Sequence, residues 1–295
     1  MPLRIGITLG DPAGVGPEII RSALESGKLA NDIDYKVIGQ VGTIGAGSPS
    51  PDSARAAFAA MEEAAGLANS GEIDAIVTGP IHKARMAEIG FEFPGQTEFF
   101  AARSGTTNYA MLLTGGAITV ALVTTHVPLR EVAASLNTSE IVRVGKLLDN
   151  FLRGRGKGVP RVAVAGLNPH AGESGKIGRE EIEIIAPAIA ELNQSRLTSH
   201  QSPSRFTGPV PPDTLFFHLA NEKWDAAVCM YHDQGLIPLK LHAFHSGVNT
   251  TLGLPFPRTS PDHGTAFDIG GKGIARPDSM IAAINLAAEL AQKKT

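Results

Sequence analysis

Three of the nine histidines in this 295-residue chain follow short apolar runs. His126 precedes Val127-Pro128, His170 precedes Ala171-Gly172, and His232 precedes Asp233-Gln234. Neutral imidazole is the commonest metal-ligating side chain, and three of them leave coordination positions open for a substrate oxygen. A divalent ion held this way would be a Lewis acid for a hydroxyl or carbonyl group. Each imidazole could equally cap a strand or bond a backbone group. No local pair of the HExxH kind reinforces the metal reading.

A second set would suit the binding of an anion. Lys240, Asn249 and Arg258 lie in a segment rich in Gly, Pro, Thr and Ser, read here as largely loop. Arginine offers a planar fork for phosphate or carboxylate, and lysine a point charge, although isolated basic residues are commonly just solvated. Beyond them, Asp262 to Gly273 is dense in glycine and small residues, which suits close backbone approach to a ligand or an irregular turn. Near the N-terminus, Gly10-Asp11-Pro12-Ala13-Gly14-Val15-Gly16-Pro17-Glu18 does not have G-x-G-x-x-G spacing, and no acidic residue ends the next strand. A Rossmann cofactor site is therefore not expected there, and a tight turn feeding a helix is.

The elements that must position these residues alternate in type. Apolar runs at Arg4–Leu9, Tyr35–Ile38, Ala75–Thr78, Ala110–Leu113, Ile118–Thr124, Arg161–Ala165 and Ala226–Met230 read as strands. Helices are expected at Ser53–Asn69 (behind the N-cap Ser50 and Pro51), Ser139–Phe151 and Glu180–Asn193. The polar stretch Gln194–Arg205 reads as a surface insertion. This alternation predicts an α/β fold with a largely parallel sheet. In such sheets ligands bind beyond the carboxyl ends of strands. Polar residues collect at those exits: Gly10-Asp11-Pro12, Gly79-Pro80, Thr125-His126, Asn168-Pro169-His170 and Tyr231-His232-Asp233.

The bulk numbers exclude several classes. A net charge of -3 and a pI near 6.3 give no basic field for nucleic acid. Cys229 is the only cysteine, so an internal disulfide is impossible, which fits a reducing, cytoplasmic setting. No signal peptide is read at the N-terminus. The uncharged stretch Thr106–Leu129 is long enough to span a bilayer. It is interrupted by Asn108, Gly115, Gly116, several threonines and His126, so two buried strands joined by a Gly-Gly turn are expected instead.

Several long motifs, in order, resemble the 4-hydroxythreonine-4-phosphate dehydrogenase family over nearly the whole chain. They are Gly10 to Glu18, Thr78-Gly79-Pro80-Ile81-His82-Lys83, Phe93-Pro94-Gly95-Gln96-Thr97-Glu98 and Thr124-Thr125-His126. Asn168 to Glu173, Tyr231-His232-Asp233-Gln234-Gly235 and Asn249 to Gly273 complete the set. The resemblance implies NAD-linked oxidation of 4-phosphooxy-L-threonine and loss of CO2, giving 3-amino-2-oxopropyl phosphate on the route to pyridoxal 5'-phosphate. It implies that His126, His170 and His232 bind one divalent ion, with zinc, magnesium and cobalt all open. Gln96, Thr97, Lys240, Asn249 and Arg258 would contact substrate, with Lys240 and Arg258 clamping its anionic groups. Asp233 would be a base or the partner that orients His232. A homodimer sharing metal ligands between chains is implied, with no nucleic acid or membrane partner.

The fold implied is the two-lobed one of isopropylmalate and isocitrate dehydrogenases, with the active site in the inter-lobe cleft. One lobe would comprise residues 1–115 and about 255–295, the other about 116–254. The segment His263–Gly273 resembles the adenosine-binding loop of those enzymes, which implies NAD, or NADP, at His263, Gly264, Ala266, Asp268 and Gly271. Two departures stand out. Gln96 replaces a common His and cannot become a cation, and the region Gly42–Ser53 is shorter than usual. Rival readings are a same-fold dehydrogenase of threonate or erythronate 4-phosphate or of a cis-dihydrodiol, and a non-catalytic metal- or phosphoester-binding protein. Lys240 together with Arg258 favours a phosphorylated substrate over a dihydrodiol.

Overall fold

The computed structural model describes residues 2–194 and 205–292. The chain divides into two compact units, Met1–Thr107 with His245–Thr295, and Asn108–Phe244. The first passage through unit 1 comprises β1 (Leu3–Thr8), α1 (Gly16–Glu25), β2 (Ile33–Ile38), α2 (Pro51–Asn69), β3 (Ala75–Thr78), α3 (Lys83–Glu88) and α4 (Gln96–Arg103). Unit 2 begins with β4 (Ala110–Gly115), β5 (Ile118–Leu122), α5 (Leu129–Ser135), α6 (Thr138–Gly154) and β6 (Arg161–Ala165). After a 3-10 segment (Pro169–Gly175) and a π turn (Glu181–Ile185), it continues with α7 (Ala186–Gln194), β7 (Arg205–Val210), α8 (Pro212–Ala220), β8 (Ala226–Cys229) and α9 (His232–Ala243). The chain re-enters unit 1 as β9 (Val248–Leu252), β10 (Arg258–Pro261) and α10 (Asp278–Gln292).

In unit 1 the strands run in the order β2-β1-β3-β10-β9, parallel except where β9 meets β10. Ile5 and Ile7 of β1 and every residue of β3 are buried, as a sheet covered on both faces requires. α2 starts where Ser50 accepts the Ser53 N–H in a capping box with Pro51 behind it. Its alanine-rich face packs with Phe99 and Phe100 of α4, both fully buried, in a core that includes Phe91 and Phe256. That core fixes the start of α4, where Gln96 and Thr97 sit.

In unit 2 the order is β4-β5-β8-β6-β7, with β4 and β5 antiparallel and the rest parallel. The uncharged stretch folds as the β4–β5 hairpin, turned by Gly116-Ala117 with Gly116 at φ 55. Among the described residues no helix is long and apolar enough to cross a membrane. α9 packs closely on the sheet because Gly235 lies there: a β-carbon would already touch Cys229, Leu122 and Val120 at 3.2 Å.

Several elements differ from the sequence reading. β7, β9 and β10 were not expected. Asn249 and Arg258 therefore lie in strands, and Lys240 in α9, rather than in loop. The predicted helix Glu180–Asn193 is a π turn followed by α7. Of the polar stretch Gln194–Arg205, the residues between its ends lie outside the described residues.

Candidate active site

In unit 2 the parallel register itself brings two imidazoles together. Val120, Ala121 and Leu122 pair with Ala227, Val228 and Cys229. Both chains continue side by side, with Val123 and Thr124 donating N–H groups to the carbonyls of Cys229 and Met230. His126 thus arrives opposite the start of α9, and its ring centroid lies 5.8 Å from that of His232. Two imidazoles on one ion, with metal–nitrogen bonds of about 2.1 Å, put their ring centres roughly 5–6 Å apart, so the pair fits a shared cation. His232 Nδ1 lies 2.6 Å from Asp233 Oδ1. A proton on Nδ1 donated to that carboxylate leaves Nε2 as the ligating atom. The rings open on a cavity of about 310 Å³ lined by Thr125, His126, Val127, Leu129, Val132, Tyr231, His232 and Asp233. Burial first, then the nearby Cys229 and Asp233, pushes the Tyr231 phenol up. Burial also pushes up the thiol of Cys229 itself, which is no nucleophile.

His170 follows β6, which pairs with β8 on its other side, so all three histidines do lie past neighbouring strand ends. His170 does not join the other two. Among the described residues, no group of three or more His, Cys, Asp or Glu is placed to hold a metal ion. Gln234, missed in the sequence reading except within its motif, ties the exits together. It accepts from the Met230 N–H and donates to the Gly166 carbonyl, both at 2.7 Å. Lys240 lies two helical turns beyond His232, about 12 Å along α9. It is half-buried, with its ammonium 6.0 Å from the Phe244 ring centre.

Unit 1 buries a cation with spare polar atoms around it. The Arg258 side chain is 2% exposed. It donates to Thr78 Oγ1 at 2.5 Å and Gln96 Oε1 at 3.0 Å, and Nε has no partner among the described residues. Burial pushes the guanidinium down to about 10, and only the charge of Glu98 opposes this. Gln96 donates in turn to the Gly79 carbonyl at 3.0 Å, which fixes its amide. Gln96 thus uses both faces of its amide where a histidine would offer one donor and one acceptor. Thr97 lies 3.4 Å from Thr251, and Asn249 Oδ1 is buried without a partner among the described residues. A cation buried among neutral groups, with spare polar atoms, is built to receive an anion. Thr78, unremarked in the sequence except within its motif, belongs to it.

The segment from His263 to Gly273 is an irregular loop fastened underneath by the Gly10–Glu18 turn. Val15 donates to the Thr265 carbonyl at 2.9 Å, and Glu18 accepts from the N–H groups of Gly273 and Ala275. A β-carbon on Gly14 would come within 2.6 Å of the Thr265 carbonyl oxygen, so the glycine permits this approach. Ala266 (φ 43) and Gly271 (φ 74) turn through the left-handed region. His263, Gly264, Asp268 and Gly271 face outward, exposed. Buried fastening beneath an exposed glycine-rich rim fits the backbone approach that a dinucleotide needs. The N-terminal motif, read as a tight turn into a helix with Pro17 in its first turn, is that turn and also the foundation of this loop.

The family described as Pyridoxal phosphate biosynthetic protein PdxA matches residues 18–287. The chain belongs to the PdxA family. A 4-hydroxythreonine-4-phosphate dehydrogenase of Desulforapulum autotrophicum is 44% identical, over 96% of this chain and 94% of that one. The alignment runs over 327 residues, more than this chain has, so that relative carries segments absent here. The crystal structure of the Klebsiella pneumoniae 4-hydroxythreonine-4-phosphate dehydrogenase superposes with a TM-score of 0.81 at 38% identity, covering 98% and 100% of the two chains. A terephthalate 1,2-cis-dihydrodiol dehydrogenase of Burkholderia xenovorans is more distant, at 26% identity and a TM-score of 0.69 over 97% and 98% of the chains. Isocitrate dehydrogenase of Methylococcus capsulatus shares the fold, at 16% identity and a TM-score of 0.54 over 98% and 88%. Within the family the chain is an oxidoreductase, and the expected α/β fold is present.

Proposed function

We propose that this PdxA-family chain oxidises 4-phosphooxy-L-threonine in vitamin B6 biosynthesis, releasing CO2 and leaving 3-amino-2-oxopropyl phosphate. The observation that carries the reading is the convergence of His126 and His232 on one cavity, with the His232 Nδ1 occupied by Asp233. When bound, a divalent ion would supply Lewis acidity at the reacting oxygen, and NAD or NADP would take the hydride from the carbon that bears it. Zinc, cobalt and magnesium differ in softness, and imidazole ligands favour the first two.

The protein's own groups divide the remaining work. His126, His170 and His232 are the ligand set, and Asp233 holds the tautomer of His232 rather than taking the substrate proton. Arg258, with Thr78, Gln96, Thr97 and Asn249, recognises the phosphate through charge-assisted hydrogen bonds. Lys240 contributes a second cationic group to the substrate. His263, Gly264, Ala266, Asp268 and Gly271 receive the adenosine end of the nucleotide. Because His170 stands apart from its two partners, a second copy of the chain supplies the third imidazole. α9 begins at His232 and continues into an apolar stripe, Ile237, Leu241 and Phe244, which are 65%, 88% and 70% exposed, as an interface between copies requires. A cytoplasmic homodimer belongs to the same proposal.

The test is NADH absorbance at 340 nm with 4-phosphooxy-L-threonine, threonate 4-phosphate and a cis-dihydrodiol, each with and without chelator. Turnover of the hydroxythreonine phosphate, abolished by chelator, is expected. Preferential turnover of the sugar-acid phosphate or the dihydrodiol, or none at all, would overturn the substrate assignment.

A further inference from the structure

His170 is carried on an unusual backbone. His170, Ala171, Gly172, Glu173 and Ser174 have φ values of 51°, 50°, 78°, 47° and 57°. Five successive residues therefore lie in the left-handed region, and only one is glycine. L residues adopt that region against steric resistance, and they persist there only when their surroundings over-determine it.

The surroundings here centre on Glu181, which is 3% exposed and opens the π turn Glu181–Ile185. Its Oε1 accepts the N–H groups of Leu167 and Asn168, both at 2.7 Å, and its Oε2 accepts Asn168 Nδ2 at 3.0 Å. The same Asn168 Nδ2 donates to Glu180 at 2.7 Å. A β-carbon on Gly172 would lie 2.6 Å from Glu181 Oε2, so the left-handed run turns directly against this carboxylate. One buried carboxylate thus grips the residues that lead into the run and bears on its middle. π turns are frequent where a helix must deliver a side chain out of regular register. Among the described residues no cation contacts Glu181, so its bonds there are spent on the shape of this turn.

We propose that Glu181 is a positioning residue that holds the Asn168–Ser174 turn, with its left-handed run from His170 to Ser174, in the one conformation presenting His170 as a metal ligand. The proposal rests on the reading of His170 as a ligand, and its test separates the two. Glutamine at 181 keeps the length but offers one acceptor oxygen for three donors, and its own amide would face that of Asn168. In metal-free Glu181→Gln, amide hydrogen exchange at residues 167–174 should accelerate at least tenfold, while amides of β5 and β8 keep wild-type protection. Titration with cobalt(II), followed by its visible absorption, should show affinity reduced about tenfold. Glu181→Asp keeps both acceptor oxygens and should recover part of each loss.

Gly172→Ala is the second variant, in case the first does not fold. It leaves the carboxylate in place and presses on it, and should produce the same local exchange and the same cobalt loss. Wild-type exchange at 167–174 and wild-type cobalt affinity in both variants would overturn the proposal. Acceleration throughout unit 2 in both would also overturn it, since Glu181 would then support the fold and not the turn. His170→Ala serves as the reference. If it binds cobalt as the wild type does, the ligand reading itself has failed; if it loses cobalt while Glu181→Gln does not, only the positioning role has.

Discussion

Replacing Arg258 with methionine removes a charge that has no acidic partner in bonding distance among the described residues. Lowering the guanidinium from its ordinary value to about 10 corresponds, at about 1.4 kcal/mol per unit, to roughly 3 kcal/mol against the charged native state. Because the folded value is depressed, this penalty is complete at every pH below about 10 and is relieved only above it. The substitution also strips Thr78 Oγ1 and Gln96 Oε1 of their donor, at about 1 kcal/mol each. The balance is a free enzyme more stable by about 1 kcal/mol, a rise in Tm of roughly 2–4 °C. Two charge-assisted bonds to phosphate, about 1.5–3 kcal/mol each, are lost at the same time, so kcat/KM should fall at least about 100-fold. The assay is thermal unfolding with and without inorganic phosphate. At about a hundred times its Kd, phosphate should stabilise the wild type by roughly 2.7 kcal/mol and leave Arg258→Met unmoved. A variant that loses many degrees in Tm and still responds to phosphate would refute the reasoning, because Arg258 would then be a structural cation.

Three further outcomes are expected. Asp233→Asn loses the carboxylate that fixes His232, and divalent-ion affinity measured by titration calorimetry should drop 10- to 100-fold with little change in Tm. Gly14→Ala forces its β-carbon against the Thr265 carbonyl, so KM for the nucleotide should rise several-fold while KM for the phosphorylated substrate stays put. The third concerns acid stability. Burial alone would push the Asp225 carboxyl up, but hydrogen bonds from Arg161 and Lys157 outweigh it and hold the group low. Its contribution is therefore full above the ordinary carboxylate range and lost as pH falls through the depressed value. Urea unfolding should show Asp225→Asn clearly weaker than wild type at pH 7, with the difference shrinking toward pH 3.

The sequence exposed the parallel-sheet strands well, because burial on both faces writes them as continuous apolar runs: Ala75–Thr78 and Arg161–Ala165 lie where read. β9 and β10 were hidden by their threonines. Inside the fold Thr250 donates to the Arg258 carbonyl and Thr259 to that of Ala283, which satisfies hydroxyls that look like loop chemistry in a linear string. β7 carries Gly208 and Pro209, normally strand breakers, and lies at the end of its sheet, where a missing N–H is tolerated. At the site, the shared strand edge carrying all three histidines was legible, but that His126 and His232 would meet without His170 was not. The left-handed turn at His170 was not, since Ala171, Glu173 and Ser174, three of its five residues, are types that avoid such backbone. Thr78, Gln234 and Glu18 act through one or two long-range bonds each, a property that no local pattern encodes.

The central claim is a metal site of three imidazoles completed between two copies of the chain, and heterodimers test it most directly. His126→Ala and His170→Ala, carrying different tags, are co-expressed, and the mixed dimer is isolated through both tags in sequence. Each homodimer should be inactive. In the mixed dimer one site lacks both imidazoles and the other keeps all three, so chelator-sensitive NADH production should return to about half the wild-type rate. A mixed dimer as inactive as its parents, or a His170→Ala homodimer that retains full activity, would contradict the account.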